Sequence, residues 1–311
     1  MSNREELFPK HPLNAAPAGV IFLLVLSTVL SFLPVGNRGI TRTCLFMIAW
    51  QVILFGVPFL VYGAIRPTHS FAKLFHGRLT ASAVPIIAFG TLMLILQSCV
   101  LRFGVFYFGY RVGAYSLYGS SFDVSAGNAT ELAAIVLAYA VVPAILEEIF
   151  FRGIMMREYR IGGFLYSTLF SSLLFAVAHL DPAGFPITFC AGLTLSLILL
   201  VTGSLAAAMA AHAAYNLFVI FLEKYVWLMS SSPDSELLFW LILIALFLLC
   251  AFFFFRLAGA EMKRAASSDR RYPSGRPGVN RATLYRQAIT APTMIACLGI
   301  YAVAAVLSFL V

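Results

Sequence analysis

The sequence predicts an all-α, polytopic transmembrane bundle of about eight or nine helices, and three observations carry that expectation. Apolar residues make up 61% of the 311 positions and charged residues only 11%, against the roughly quarter-charged make-up of a soluble domain. Mean hydropathy is +0.92. The apolar residues gather into runs close to the ~20 residues that cross a ~30 Å hydrocarbon core.

Taken in order, the runs fall near 16–35, 43–65, 82–101, 131–151, 163–180, 184–202, 204–222, 237–256 and 290–311. The first 15 residues mix both charge signs with two prolines, and no clear small-residue cleavage signature follows, so 16–35 reads as a retained first helix rather than a signal peptide. Residues 102–130 are rich in Phe, Tyr and Gly and include Arg102, Arg111 and Asp123, which suits an interfacial loop or short amphipathic piece. The connections at 180–184 and 202–204 are very short, so the helices they join are antiparallel neighbours. No internal repeat or separate soluble domain is visible, and the whole of 1–311 reads as one integral membrane domain with its chemistry at about 131–222.

Net charge is +8, and most of that excess sits in one place. Residues 256–286 hold Arg256, Lys263, Arg264, Arg270, Arg271, Arg276, Arg281 and Arg286 against Glu261 and Asp269. Basic loops stay on the cytoplasmic side and contact anionic lipid, so 256–289 is expected to be a basic cytoplasmic loop and not a nucleic-acid surface. Alternating backwards places the loop with Arg66, Lys73 and Arg78, and also Arg157 and Arg160, on the same side. Cys44, Cys99, Cys190, Cys250 and Cys297 all lie in apolar runs without C-x-x-C spacing, which favours packing over disulfides or a zinc cluster.

The chemistry is concentrated in three short stretches. An ionisable group at membrane depth costs several kcal/mol, yet Pro143-Ala-Ile-Leu-Glu-Glu-Ile-Phe-Phe-Arg152 carries two carboxylates and a guanidinium. Glu148 and Arg152 are spaced i, i+4 and pair along one helix face, whereas Glu147 is rotated off it. One carboxylate is thereby occupied and one left free, the asymmetry a general base needs. The competing reading is that both glutamates merely neutralise arginines or line a polar helix contact.

His179 lies four residues after Phe175 and just before an Asp181-Pro182 turn. If Gly162-Gly163 turns the chain, Glu147 and His179 each stand 16 residues from Gly163, roughly 24 Å at ~1.5 Å per residue, so antiparallel helices bring them level. His212 and Asn216 are again i, i+4, on a segment whose many alanines allow close helix approach. They form either a hydrogen-bonding seam or an oxyanion hole with imidazole and carboxamide donors. His11, His69 and His76 fall in hydrophilic or interfacial stretches. Glu147, His179 and His212 could also be metal ligands, zinc or another divalent ion, but the spacing matches no H-E-x-x-H helix. A water nucleophile without a required cofactor is the favoured reading.

Glu147-Glu148-x-x-x-Arg152, Phe175-x-x-x-His179 and His212-x-x-x-Asn216, in that order and each on an apolar segment, resemble the motifs of the CAAX-protease and bacteriocin-processing family (CPBP, also called Abi), which includes the type II CAAX prenyl endopeptidases. The resemblance covers the central quarter of the chain. It implies an intramembrane endopeptidase of a bacterial or archaeal cell membrane in which Glu147 and His179 activate water, His212 and Asn216 stabilise the tetrahedral oxyanion, and Glu148 is held by Arg152. It also implies a peptide or a prenylated protein C-terminus as substrate. The rivals from another class are a non-catalytic immunity factor and a proton-coupled transporter using Glu147 and Glu148 as a relay.

Overall fold

The computed structural model describes residues 12–31, 39–65, 81–112, 127–230, 236–267 and 280–310. Eleven helices fill these stretches, and no strand occurs among the described residues. They are α1 (Pro12–Ser31), α2 (Ile40–Ile65), α3 (Ala83–Val112), α4 (Ala129–Gly162), α5 (Phe164–Ala178), α6 (Phe185–Thr202), α7 (Leu205–Phe221), α8 (Glu223–Ser230), α9 (Glu236–Ser267), α10 (Arg281–Ile289) and α11 (Pro292–Leu310). Among the described residues, five helices are long and apolar enough to cross a membrane, or up to seven if each bent pair is one span. The bent pairs are α7 with α8 (51°) and α10 with α11 (53°). Leu13–Val29 and Phe164–Ala178 are apolar but shorter. Each of the nine expected runs therefore has its helix, although two fall short of a full span.

Local chemistry sets the boundaries. Asn128 starts α4 by accepting from the Glu131 amide at 2.9 Å, while Glu131 accepts from the Gly127 amide at 2.8 Å, a reciprocal cap. Gly163 (φ +86°) makes the expected turn into α5, and Gly203 (φ +65°) closes α6 in the left-handed conformation that glycine adopts without strain. Asn280 caps α10 by accepting from the amides of Ala282 and Thr283.

Three expectations change. α3 runs on to Val112, because Arg102, read as part of an interfacial loop, is paired with Glu223 at 2.8 Å and does not end the helix. The stretch between the apolar runs 204–222 and 237–256, expected to connect two helices, itself begins with a helix: Glu223–Ser230 is helical and bent away from α7. The basic segment 256–289 is helical at both ends, since α9 carries Arg256, Lys263 and Arg264, and basic residues are good helix formers and suit a helix C-terminus. Arg66, Lys73, Arg78, Asp123, Arg270, Arg271, Arg276, His11, His69 and His76 lie outside the described residues.

Two apolar cores organise the bundle. One gathers Val20 and Leu23 of α1, Phe55 of α2, Phe150 and Phe151 of α4, Phe170 and Phe175 of α5, and Met294 of α11. The other joins Met93 and Leu94 of α3, Leu195 and Ile198 of α6, Ala207 and Ala211 of α7, and Phe254 of α9. Of the helices bearing the three motifs, α4 packs against both α5, whose side chains join the first core, and α7, whose side chains join the second. All five cysteines are free; four are buried and Cys190 is half-buried.

Candidate active site

The glutamate pair sits between two π-helical turns of α4, Leu137–Val141 and Ile149–Met155. Pro143 offers no backbone N–H to the helix ladder. Such wider turns re-aim side chains and are frequent at functional sites. Glu148 is fully buried, and Arg152 is 3% exposed. Arg152 Nη1 donates to Glu148 Oε1 at 2.7 Å, as the spacing predicted, and Nη2 donates to the Gly192 carbonyl on α6 at 3.2 Å. The guanidinium also lies over the Phe175 ring, 4.5 Å from its centroid, so charge, hydrogen bonds and a cation–π contact together hold it. Glu148 Oε2 and Arg152 Nε remain buried without a hydrogen-bond partner.

His212 adds a contact that sequence spacing does not reveal. Its Nδ1 lies 2.9 Å from Glu148 Oε1, and because a carboxylate accepts, Nδ1 carries the hydrogen. Its Nε2 points to Glu147 Oε2 at 3.9 Å. The imidazole thus stands between the two adjacent carboxylates. Glu147 keeps 15% of its side chain exposed, whereas Glu148 keeps none.

His179 ends α5 and is exposed. Its Nδ1 donates to the Phe175 carbonyl at 2.7 Å, which in the neutral ring leaves the Nε2 lone pair free. Phe175 is the hub: its ring centroid is 4.7 Å from that of His179, 6.0 Å from that of His212 and 5.0 Å from that of Phe151. Asn216 Nδ2 faces the Ala140 carbonyl in the first π turn at 3.5 Å. The structure therefore brings Glu147, Glu148, Arg152, Phe175 and His212 into one connected group. It joins His179 to that group through Phe175, and it ties Asn216 to the neighbouring π turn.

Gly192 and Ser171 were not singled out in the sequence. A Cβ on Gly192 would stand 2.8 Å from Ser172 Cβ and 3.0 Å from its Cα, so only glycine lets α5 and α6 approach closely enough for the Gly192 carbonyl to meet Arg152. Ser171 Oγ donates to the Phe151 carbonyl at 2.7 Å, fastening the second π turn to α5. The available signal was a glycine inside an apolar helix, where it costs ~1 kcal/mol unless a close approach needs it.

Of the residues named as possible metal ligands, Glu147 and His212 approach each other at 3.9 Å, and His179 reaches them through Phe175. Among the described residues no group of three or more His, Cys, Asp or Glu side chains could hold a metal ion. One His212 nitrogen is taken by Glu148 and one His179 nitrogen by a carbonyl.

Fold and site together define a polytopic helical membrane protein with a buried carboxylate–imidazole centre. Residues 129–218, which contain all three motifs, match the family model described as type II CAAX prenyl endopeptidase Rce1-like. No curated protein and no solved structure matches the chain.

Proposed function

We propose that the protein is an intramembrane endopeptidase that hydrolyses a peptide bond with a water molecule activated by Glu147 and His179. The division of labour between neighbouring carboxylates carries this reading: Glu148 is enclosed and bound by both Arg152 and His212, while Glu147 stays partly accessible and free of arginine. The match of residues 129–218 to the type II CAAX prenyl endopeptidase model supports a peptide substrate, either unmodified or with a prenylated C-terminus.

Water attacks the scissile carbonyl as Glu147 takes its proton, with the free Nε2 of His179 orienting the water. The tetrahedral oxyanion accepts from the Asn216 amide and from His212 Nε2–H, the imidazole carrying hydrogen on both nitrogens at this step while Nδ1–H stays on Glu148. Glu147 then returns the proton to the amide nitrogen, the C–N bond breaks, and carboxylate and amine products leave. No step needs a metal, and we assign the positively charged ends of α9 and α10 to the cytoplasmic side by the positive-inside rule.

The test is product analysis with the full-length protein in liposomes and a farnesylated peptide ending in cysteine, two aliphatic residues and a variable residue, alongside its unprenylated counterpart. Release of the C-terminal tripeptide, unaffected by chelator, is the expected result. An intact peptide together with collapse of an imposed proton gradient would favour the transporter instead.

A further inference from the structure

A second polar network lies outside the site, around α3 and the bend between α7 and α8. Arg102 Nε pairs with Glu223 Oε1 at 2.8 Å, just past the bend. The Arg102 guanidinium also lies close enough to the Tyr215 hydroxyl, before the bend, to interact with it electrostatically. The Tyr215 hydroxyl is 2.8 Å from Ser98 Oγ on α3, and Trp227 hydrogen-bonds Glu223. None of these groups takes part in the hydrolysis proposed above.

The sequence of α7 explains what the network does. From Leu205 to Phe221 the helix reads LAAAMAAHAAYNLFVIF, and between the buried Leu205 at its start and His212 the buried surface is alanine: Ala207, Ala208 and Ala211 are fully buried. An alanine surface permits close approach but marks no rotation, because a roll about the axis exchanges one methyl for another. The reactive groups on this helix are sensitive to such a roll. Side-chain atoms lie ~5–6 Å from a helix axis, so a roll of roughly 20° carries the His212 ring about 2 Å, enough to break the 2.9 Å contact with Glu148.

We infer that Arg102 is a positioning residue for the active site: by pairing with Glu223 beyond the bend, while Ser98 one turn earlier on α3 holds Tyr215 before it, Arg102 fixes the rotation of α7, and so the aim of His212 and Asn216. Tyr215 is three residues after His212 and one before Asn216, so its anchorage to α3 constrains both. This inference rests on the proposed hydrolytic role of those two residues.

The experiment uses the full-length protein in liposomes with ¹⁵N-labelled histidine, the His212 resonance being assigned by its loss in His212→Gln. Arg102→Ala should shift the His212 Nδ1 resonance. With a fluorogenic farnesylated peptide it should lower kcat roughly tenfold to a hundredfold, the loss that ~1 Å of misplacement produces, with KM changed less than about twofold. Tyr215→Phe, which removes a single hydroxyl and leaves packing intact, should move both readouts the same way by less. The reversed pair Arg102→Glu/Glu223→Arg should bring both back towards the parent. A His212 resonance and kcat at parent values in Arg102→Ala would overturn the inference, as would a reversed pair no better than the single variants. A parent protein that left the peptide intact would remove the hydrolytic reading, while the His212 resonance would still decide whether Arg102 orients α7.

Discussion

Arg152 is held by three unlike contacts: a carboxylate, a backbone carbonyl and an aromatic face. Removing one member of such a buried pair leaves the other charge uncompensated, which costs about 3–5 kcal/mol. Arg152→Met should therefore lower unfolding free energy by about that much in detergent titrations, and adding Glu148→Gln should recover most of the loss. Phe175→Leu keeps an apolar side chain but gives up the cation–π contact and the ring against which both histidines rest. It should cost about 0.5–2 kcal/mol and reduce cleavage. The Glu148–Arg152 pair was legible in the sequence because its spacing is local. The bond from His212 to Glu148 was not, since it joins residues 64 apart and depends on how two helices pack.

Between elements, Gly192 sets the distance between α5 and α6. Gly192→Ala forces a methyl against the Cβ and backbone of Ser172, an overpacking worth about 1–3 kcal/mol, and moves the carbonyl that Arg152 uses. Gly259 on α9 is the control: a Cβ there meets nothing within 4 Å. Gly259→Ala should be neutral or slightly stabilising, while Gly192→Ala lowers both melting temperature and activity. The turn at Gly162-Gly163 and the tight α6–α7 connection were readable from composition. The two π turns flanking the glutamates were not, because an extra residue in one helical turn leaves the hydropathy of a span unchanged. The helix after Leu222 escaped for a related reason: Glu223 and Lys224 break the apolar run, yet Arg102 and Trp227 provide Glu223 with partners.

At the scale of the whole molecule, the site occupies a seam between two apolar cores, where neither has to bury the charges unaided. Hydropathy revealed the bundle because long apolar runs are nearly sufficient to define helices in a membrane. Among the described residues the apolar stretches of α1 (Leu13–Val29) and α5 (Phe164–Ala178) are shorter than a full span. At one end of the chain α10 buries Leu284 and Ala288 while Arg281 and Arg286 stay exposed, and Tyr166 donates to the Leu284 carbonyl at 3.1 Å. Single cysteines placed at Arg264 and at Arg286 should both react with an impermeant maleimide supplied from the cytoplasmic side. Labelling of either from the opposite side would contradict the proposed orientation.

The most direct measurement is the turnover of purified full-length Glu147→Ala beside the parent on the same peptide, with melting temperatures recorded for both. A general base is worth roughly 10²–10⁴-fold, so the variant should lose at least a hundredfold in kcat while melting within a few degrees of the parent. Cleavage by a folded Glu147→Ala protein at the parent rate would contradict the account.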